Sequence, residues 1–162
     1  MSKQRAASYI KSAIAVTATA VAGSVATDPS TAWYKKLDKP SWQPPSWAFP
    51  VAWTALYASI ALASGKVLAD AKEDDDVVQR GQYKRALALN LALNAGWSYT
   101  FFKAQKLGPA AIVAAALAAS SSDLAKRAGR SDRKLGWLLT PYAMWTSFAT
   151  ALSTEIWKRN RD

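Results

Sequence analysis

The side chains able to do chemistry in this 162-residue chain are few, because it contains neither histidine nor cysteine. That removes the commonest general base and metal ligand, and all thiolate chemistry. No hydrolytic triad and no metal-ligand cluster can be assembled from what remains, so no metal site is expected. The remaining candidates are aromatic rings and amides. Phe49, Trp53 and Tyr57 recur at four-residue steps. Asn90, Asn94, Trp97 and Phe101 fall within about 60° of one another on a helix that turns about 100° per residue. Tyr142, Trp145, Ala149 and Leu152 share a third stripe. Flat rings bind flat apolar ligands by stacking, amides add hydrogen bonds, and indoles can be oxidised. Each stripe has a second reading. The rings fit a plain packed core equally well, and the two amides could simply hydrogen-bond between helices.

The elements that carry these stripes follow from where the charges stand. All 32 charged residues lie outside five windows, 12–27, 40–65, 86–102, 107–122 and 135–154. A soluble amphipathic helix shows polar or charged residues about every turn. A hydrocarbon core needs about 20 mainly apolar residues per helix, with cations snorkelling from the ends. Lys11, Lys66, Arg85, Lys103, Lys134 and Lys158 stand where such cations belong. The chain is therefore read as one all-α membrane domain over 1–162, a five-transmembrane-helix bundle with helices at about 8–27, 47–69, 82–104, 108–125 and 134–158. The competing reading is a soluble, Ala-rich helical bundle. The mean hydropathy of −0.08 hides the pattern, because charged loops offset apolar windows. The net charge of +10 is juxtamembrane, and no nucleic-acid motif accompanies it. The first apolar run continues into Trp-rich sequence without a cleavage pattern, and is kept as a span. Eleven Lys/Arg on the N-terminal side against eight on the other favour a cytoplasmic N-terminus.

Between the first two helices lies "WYKKLDKPSWQPPSWAFPVAWTALY", residues 33–57, with Pro40, Pro44, Pro45 and Pro50. Four prolines forbid a continuous helix, and the aromatic content argues against disorder, so this stretch must rest on an apolar surface. Trp33, Trp137 and Trp157 are placed at membrane interfaces as anchors. Ala15, Thr19 and Gly23 in the first helix permit close helix contact, and the Ala88/Ala92/Gly96 face of the third is expected to meet a second subunit as a homodimer contact.

With "LNAGWSYTFF" and "PYAMWTSFATAL", this stretch makes residues 12–160 resemble the translocator protein family, also called tryptophan-rich sensory proteins or peripheral-type benzodiazepine receptors. The resemblance implies a five-helix membrane bundle, commonly dimeric, with the Pro/Trp-rich segment as a lid seated through Trp33, Tyr34 and Trp42. It implies a pocket that binds porphyrins (tetrapyrroles, heme among them) or benzodiazepine-site ligands, with no required cofactor. Carried over position by position, that pocket comprises Tyr34, Phe49, Trp53, Tyr57, Asn94, Trp97, Phe101, Tyr142, Trp145, Phe148, Ala149 and Leu152. The expected function is a multi-pass membrane receptor or sensor, with Trp53 and Trp145 meeting ligand from opposing walls. The alternatives are an enzyme degrading porphyrin with light and oxygen through Trp53 and Trp145, and a tetrapyrrole or sterol carrier. The chain departs from the family pattern at Asn90, Ala61 and Pro109. Ser153 and Thr154 replace the Leu-Asn of the sterol-recognition segment.

Overall fold

The computed structural model describes residues 1–161, and all regular structure among them is helical. Six α-helices follow in order: α1 (Lys3–Ala26), α2 (Ala32–Lys36), α3 (Ala48–Glu73), α4 (Val77–Ser98), α5 (Leu107–Ser131) and α6 (Arg133–Arg159). A wider π-helical turn over Tyr99–Lys103 extends α4. Five helices are long, and the sequence reading located all of them; it missed the single-turn α2 within the Pro-rich connection. The Oγ1 of Thr31 caps α2 by accepting from the N–H of Tyr34 at 3.2 Å.

The long helices run past the charge-free windows at several ends, where capping side chains set their starts. Ser2 caps α1, and Asp76 caps α4 by accepting from the N–H of Gln79 at 2.8 Å. Asp132 alone separates α5 from α6, accepting from the N–H of Lys134 at 2.9 Å. A side-chain acceptor at an N-cap satisfies an otherwise orphaned helix donor.

Packing is closest where side chains are smallest. A Cβ built on Gly136 would lie 2.8 Å from the Cα of Gly129 and 3.3 Å from the carbonyl of Ala125. Backbone therefore meets backbone in the α5–α6 hairpin. Gly65 of α3 similarly accepts Tyr9 of α1, whose Cα would be 3.0 Å from an added Cβ. Ile60, Val67, Leu117, Leu124, Leu139 and Tyr142 fill the centre, all fully buried. At one polar end Arg5 binds Asp70 at 3.0 Å and Glu73 at 2.6 Å, tying the start of α1 to the end of α3.

Three helices, α1, α3 and α5, are long and apolar enough to cross a membrane. Much of their apolar surface points outward. Ile14, Val21, Val25, Val51, Leu62 and Ile112 are each more than half exposed. Exposed apolar surface of that extent marks a membrane or partner. In α4 the amides of Asn90 and Asn94 make their hydrogen bonds inside the protein. In α6, Thr140, Thr146, Ser147, Thr150 and Thr154 each donate to the carbonyl four residues earlier.

Gly136→Ala should lower the thermal unfolding midpoint in detergent by about 2–10 °C, the cost of overpacking a site with no flexible neighbour to yield. Gly81→Ala, whose Cβ would meet nothing within 4 Å, should leave the midpoint unchanged or raised.

Candidate functional site

The Pro-rich connection rests on aromatic rings at one end of the bundle. Trp33 meets Phe101 edge-on at 5.9 Å, Tyr34 lies 5.5 Å from Phe102, and Trp42 meets Phe148 at 5.7 Å. Trp33 is thus tied into the cluster. Asn160 clamps the same segment to the end of α6: the N–H of Asp38 donates to Oδ1 at 2.9 Å, and Nδ2 donates to the carbonyl of Asp38 at 2.9 Å.

Beneath the connection lies a cavity of about 410 Å³ between α1, α3, α6 and the π turn. Ligand sites commonly measure about 300–1,000 Å³. Its aromatic wall runs from Tyr57 through Trp53 and Trp97 to Phe101. Trp53 stacks on Tyr57 at 5.4 Å and 30°, Trp97 follows at 6.3 Å and 32°, and Phe101 at 6.0 Å and 40°. Successive rings in van der Waals reach of one another make a continuous aromatic lining suited to an apolar molecule. The π turn helps, since the wider turn brings the neighbours Phe101 and Phe102 both onto the cavity wall. Ala20, Gly23 and Ser24 of α1 line the facing side, and their small size leaves the space open.

Of the expected pocket residues, Tyr34, Phe49, Trp53, Tyr57, Trp97, Phe101 and Leu152 line this cavity. Asn94, Tyr142, Trp145, Phe148 and Ala149 stand behind that wall. Trp145 packs edge-on against Trp53 at 6.5 Å and 89°, and against Phe49 at 5.8 Å. The two rings pack against each other, and of the two only Trp53 lines this cavity.

Asn94 is buried in a hydrogen-bond chain that crosses the bundle. The hydroxyl of Tyr57 donates to Asn94 Oδ1 at 2.9 Å, and Asn94 Nδ2 donates to the Tyr142 hydroxyl at 3.1 Å. Tyr142 donates onward to Asn90 Oδ1 at 2.8 Å, and Asn90 Nδ2 reaches Ser121 Oγ at 3.1 Å and Ser120 Oγ at 3.2 Å. Ser121 ends the chain on the Leu117 carbonyl at 2.8 Å. Interhelical bonding is therefore the role both amides play. Trp97 is fixed separately, its Nε1 donating to Ser153 Oγ at 3.1 Å.

No charged residue lines the cavity among the described residues. Charges gather at its mouth. Hydrogen bonds from Ser30, followed by the proximity of Lys103 and Lys35, hold the Asp28 carboxyl below the usual carboxylate range, so it stays ionised at neutral pH. Lys39 places its Nζ 4.7 Å above the Tyr34 ring.

Several lining residues escaped the sequence reading: Ala20, Ser24, Gln43, Ser46, Phe102, Ser153 and Ile156. Phe102 lies off the stripe of its helix and reaches the cavity only through the π turn. Gln43 lies in a connection with no periodicity to assign its direction. Gly23 carried a signal, as a small residue in an apolar helix, but that signal was read only as helix contact.

An aromatic-lined cavity beneath a Trp/Pro-rich connection, in a helical bundle with an apolar exterior, marks a helical membrane protein. Residues 12–158 match the TspO/MBR family, and the chain belongs to it. It is 36% identical to the tryptophan-rich protein TspO of Chlorobaculum tepidum, with 86% of this chain and 87% of that one covered. It is 33% identical to protein CrtK of Rhodobacter capsulatus, over 80% of this chain and 79% of the other. It is 34% identical to the human translocator protein, over 79% and 75%.

Tyr142→Phe should destabilise the protein by about 1–3 kcal/mol, because it orphans Asn94 Nδ2 and Asn90 Oδ1 together. Ser120→Ala should change little, since Asn90 Nδ2 keeps Ser121. Thermal unfolding of the two variants in detergent checks the contrast.

Proposed function

We propose that the protein is a multi-pass membrane receptor or sensor that binds porphyrins and related flat hydrophobic molecules in the cavity beneath the Pro/Trp-rich connection. The observation that carries this reading is the continuous run of Tyr57, Trp53, Trp97 and Phe101 along about 410 Å³ of uncharged space. A tetrapyrrole would lay its ring plane on that wall and direct its carboxylates to the mouth, where Lys35 and Lys103 flank Asp28. The connection acts as a lid, stiffened by its prolines and clamped by Asn160. All five long helices span the bilayer in this reading. The internally satisfied amides and hydroxyls of α4 and α6 lower the cost of immersing those two helices. A benzodiazepine-site ligand would use the same wall.

Porphyrin titration by quenching of intrinsic fluorescence tests the cavity. Trp53→Ala should weaken binding about tenfold or more, through lost stacking and lost burial. Trp145→Ala should weaken it less, because that ring supports Trp53 from behind. Trp157→Ala should change affinity little; its ring lies against Gly108 and Arg161, outside the cavity. Affinity unchanged by Trp53→Ala would place the ligand elsewhere.

The contact of Trp53 with Trp145 at 6.5 Å favours one second reading, light- and oxygen-dependent porphyrin degradation through these indoles. Trp53→Phe and Trp145→Phe keep a ring but are far harder to oxidise. A receptor should bind porphyrin as before and yield no new product under illumination in air. An enzyme should bind it and lose turnover.

The Ala88/Ala92/Gly96 face of α4 is proposed as a homodimer contact. Ala88 and Ala92 are exposed, and a Cβ on Gly96 would meet nothing within 4 Å. Gly96→Leu should weaken chemical cross-linking between subunits and leave porphyrin affinity unchanged; undiminished cross-linking would exclude this face.

A further inference from the structure

The outer face of the α5–α6 hairpin carries cations that no carboxylate answers. Gly129 and Gly136 fix how the two helices face each other, since a Cβ on Gly136 would lie 2.8 Å from the Gly129 Cα. At about 100° per residue, Lys126 and Arg130 stand about 60° and 100° to one side of that contact. In the antiparallel α6, Arg133 and Trp137 stand about 60° and 100° from it, on the same side. Leu124, Ala128, Leu135 and Leu139 lie on the opposite side and are buried in the bundle. Lys126, Arg130, Arg133 and Trp137 are all exposed. Among the described residues, the three cations make no ion pair. The hairpin's own carboxylates are spent elsewhere. Asp123 binds Arg127 at 2.7 Å, and Asp132 accepts from the Lys134 N–H at 2.9 Å.

Beyond the cations the same face turns apolar. Ala119 and Ala115 stand seven and eleven residues before Lys126, and Met144 stands seven beyond Trp137; all three are exposed. Cations, then an indole, then small apolar side chains match in order the phosphate, interface and acyl chain of a phospholipid. We propose that this face binds an anionic phospholipid of the leaflet on the N-terminal side, its phosphate at Arg130 and Arg133 and a chain along Ala119 and Ala115. An acidic peptide or a nucleic acid would answer the cations but not the apolar strip that continues from them. The site rests on the reading of all five long helices as spans, and it lies on a face the cavity does not use.

Lipid competition in vesicles tests the site. The full-length protein is reconstituted in phosphatidylcholine with brominated acyl chains, which quench tryptophan on contact, and unbrominated phosphatidylglycerol is added in rising proportion. The quenching that disappears with Trp137→Phe belongs to the hairpin face. Phosphatidylglycerol should displace phosphatidylcholine there with a preference of about tenfold or more at low salt. Lys126→Gln, Arg130→Gln and Arg133→Gln combined should bring that preference close to one, each cation supplying up to about fivefold. Removing as many charges at the other end, with Lys36→Gln, Lys106→Gln and Lys158→Gln, should leave it unchanged. Arg133→Gln alone should lower it about fivefold, and serves if the first triple variant does not fold. Glycerol phosphate at constant ionic strength should not compete. No preference in the parent, equal loss in both triple variants, or competition by glycerol phosphate would overturn the lipid site and leave the five spans standing. A parent that does not enter the vesicles would overturn both.

Discussion

The arrangement depends on one directed chain of hydrogen bonds running from Tyr57 through Asn94, Tyr142 and Asn90 to Ser121. It joins α3, α4, α6 and α5, and in it each hydroxyl donates once and each amide uses both of its ends. In an apolar interior such a chain is stable only when complete, because every unpaired member carries its full desolvation cost. Completeness therefore fixes the rotation of α4 about its axis. Once Asn90 and Asn94 face the bundle centre, Trp97 and Phe101, three and seven residues beyond Asn94, are carried to the cavity wall. The polar chain thus sets the geometry of the aromatic one.

The cavity follows from a mismatch of side-chain size across that wall. Large rings on α3 and α4 face Ala20, Gly23 and Ser24 on α1, which are too small to fill the space. A protein interior ordinarily closes such a gap. Here the connection between α1 and α3 holds the ends of those helices apart, and its own rings are spent on Phe101, Phe102 and Phe148. Proline-rich backbone suits that task. It needs few hydrogen bonds of its own, and its restricted conformations reduce the entropy lost on seating it over an open space.

How much of this could be read from residue order differs from element to element. The five long helices were legible because their charges stand apart from long charge-free windows, and that spacing is a one-dimensional signal. Their ends were less so. The helices of 24 and 26 residues at Lys3–Ala26 and Ala48–Glu73 outrun their windows, the first back to a Ser2 cap and the second onward to Asp74, where only backbone bonds close it. The single turn Ala32–Lys36 and the π turn at Tyr99–Lys103 left no periodic trace. In the candidate site, Phe49, Trp53 and Tyr57 were found by their spacing, as were Trp97 and Phe101. Asn94 and Tyr142 were found as polar or aromatic residues facing inward, but spacing cannot say whether an inward group meets a ligand or another side chain.

The sequence by itself determined that apolar segments alternate with charged ones, which residues share a helical face, and that the chain belongs with a family of membrane proteins. These are properties of neighbours along the chain, governed by helical period and by the cost of immersing charge. Only the tertiary structure decided that Asn94 is consumed by Tyr57 and Tyr142, that Trp145 packs edge-on against Trp53, and that the Trp97 N–H is taken up by Ser153. Hydrogen-bond capacity is used up by partners brought from distant segments, as in the pairing of Asn94 with Tyr142 across 48 positions. What remains unpaired is settled only after those partners have met.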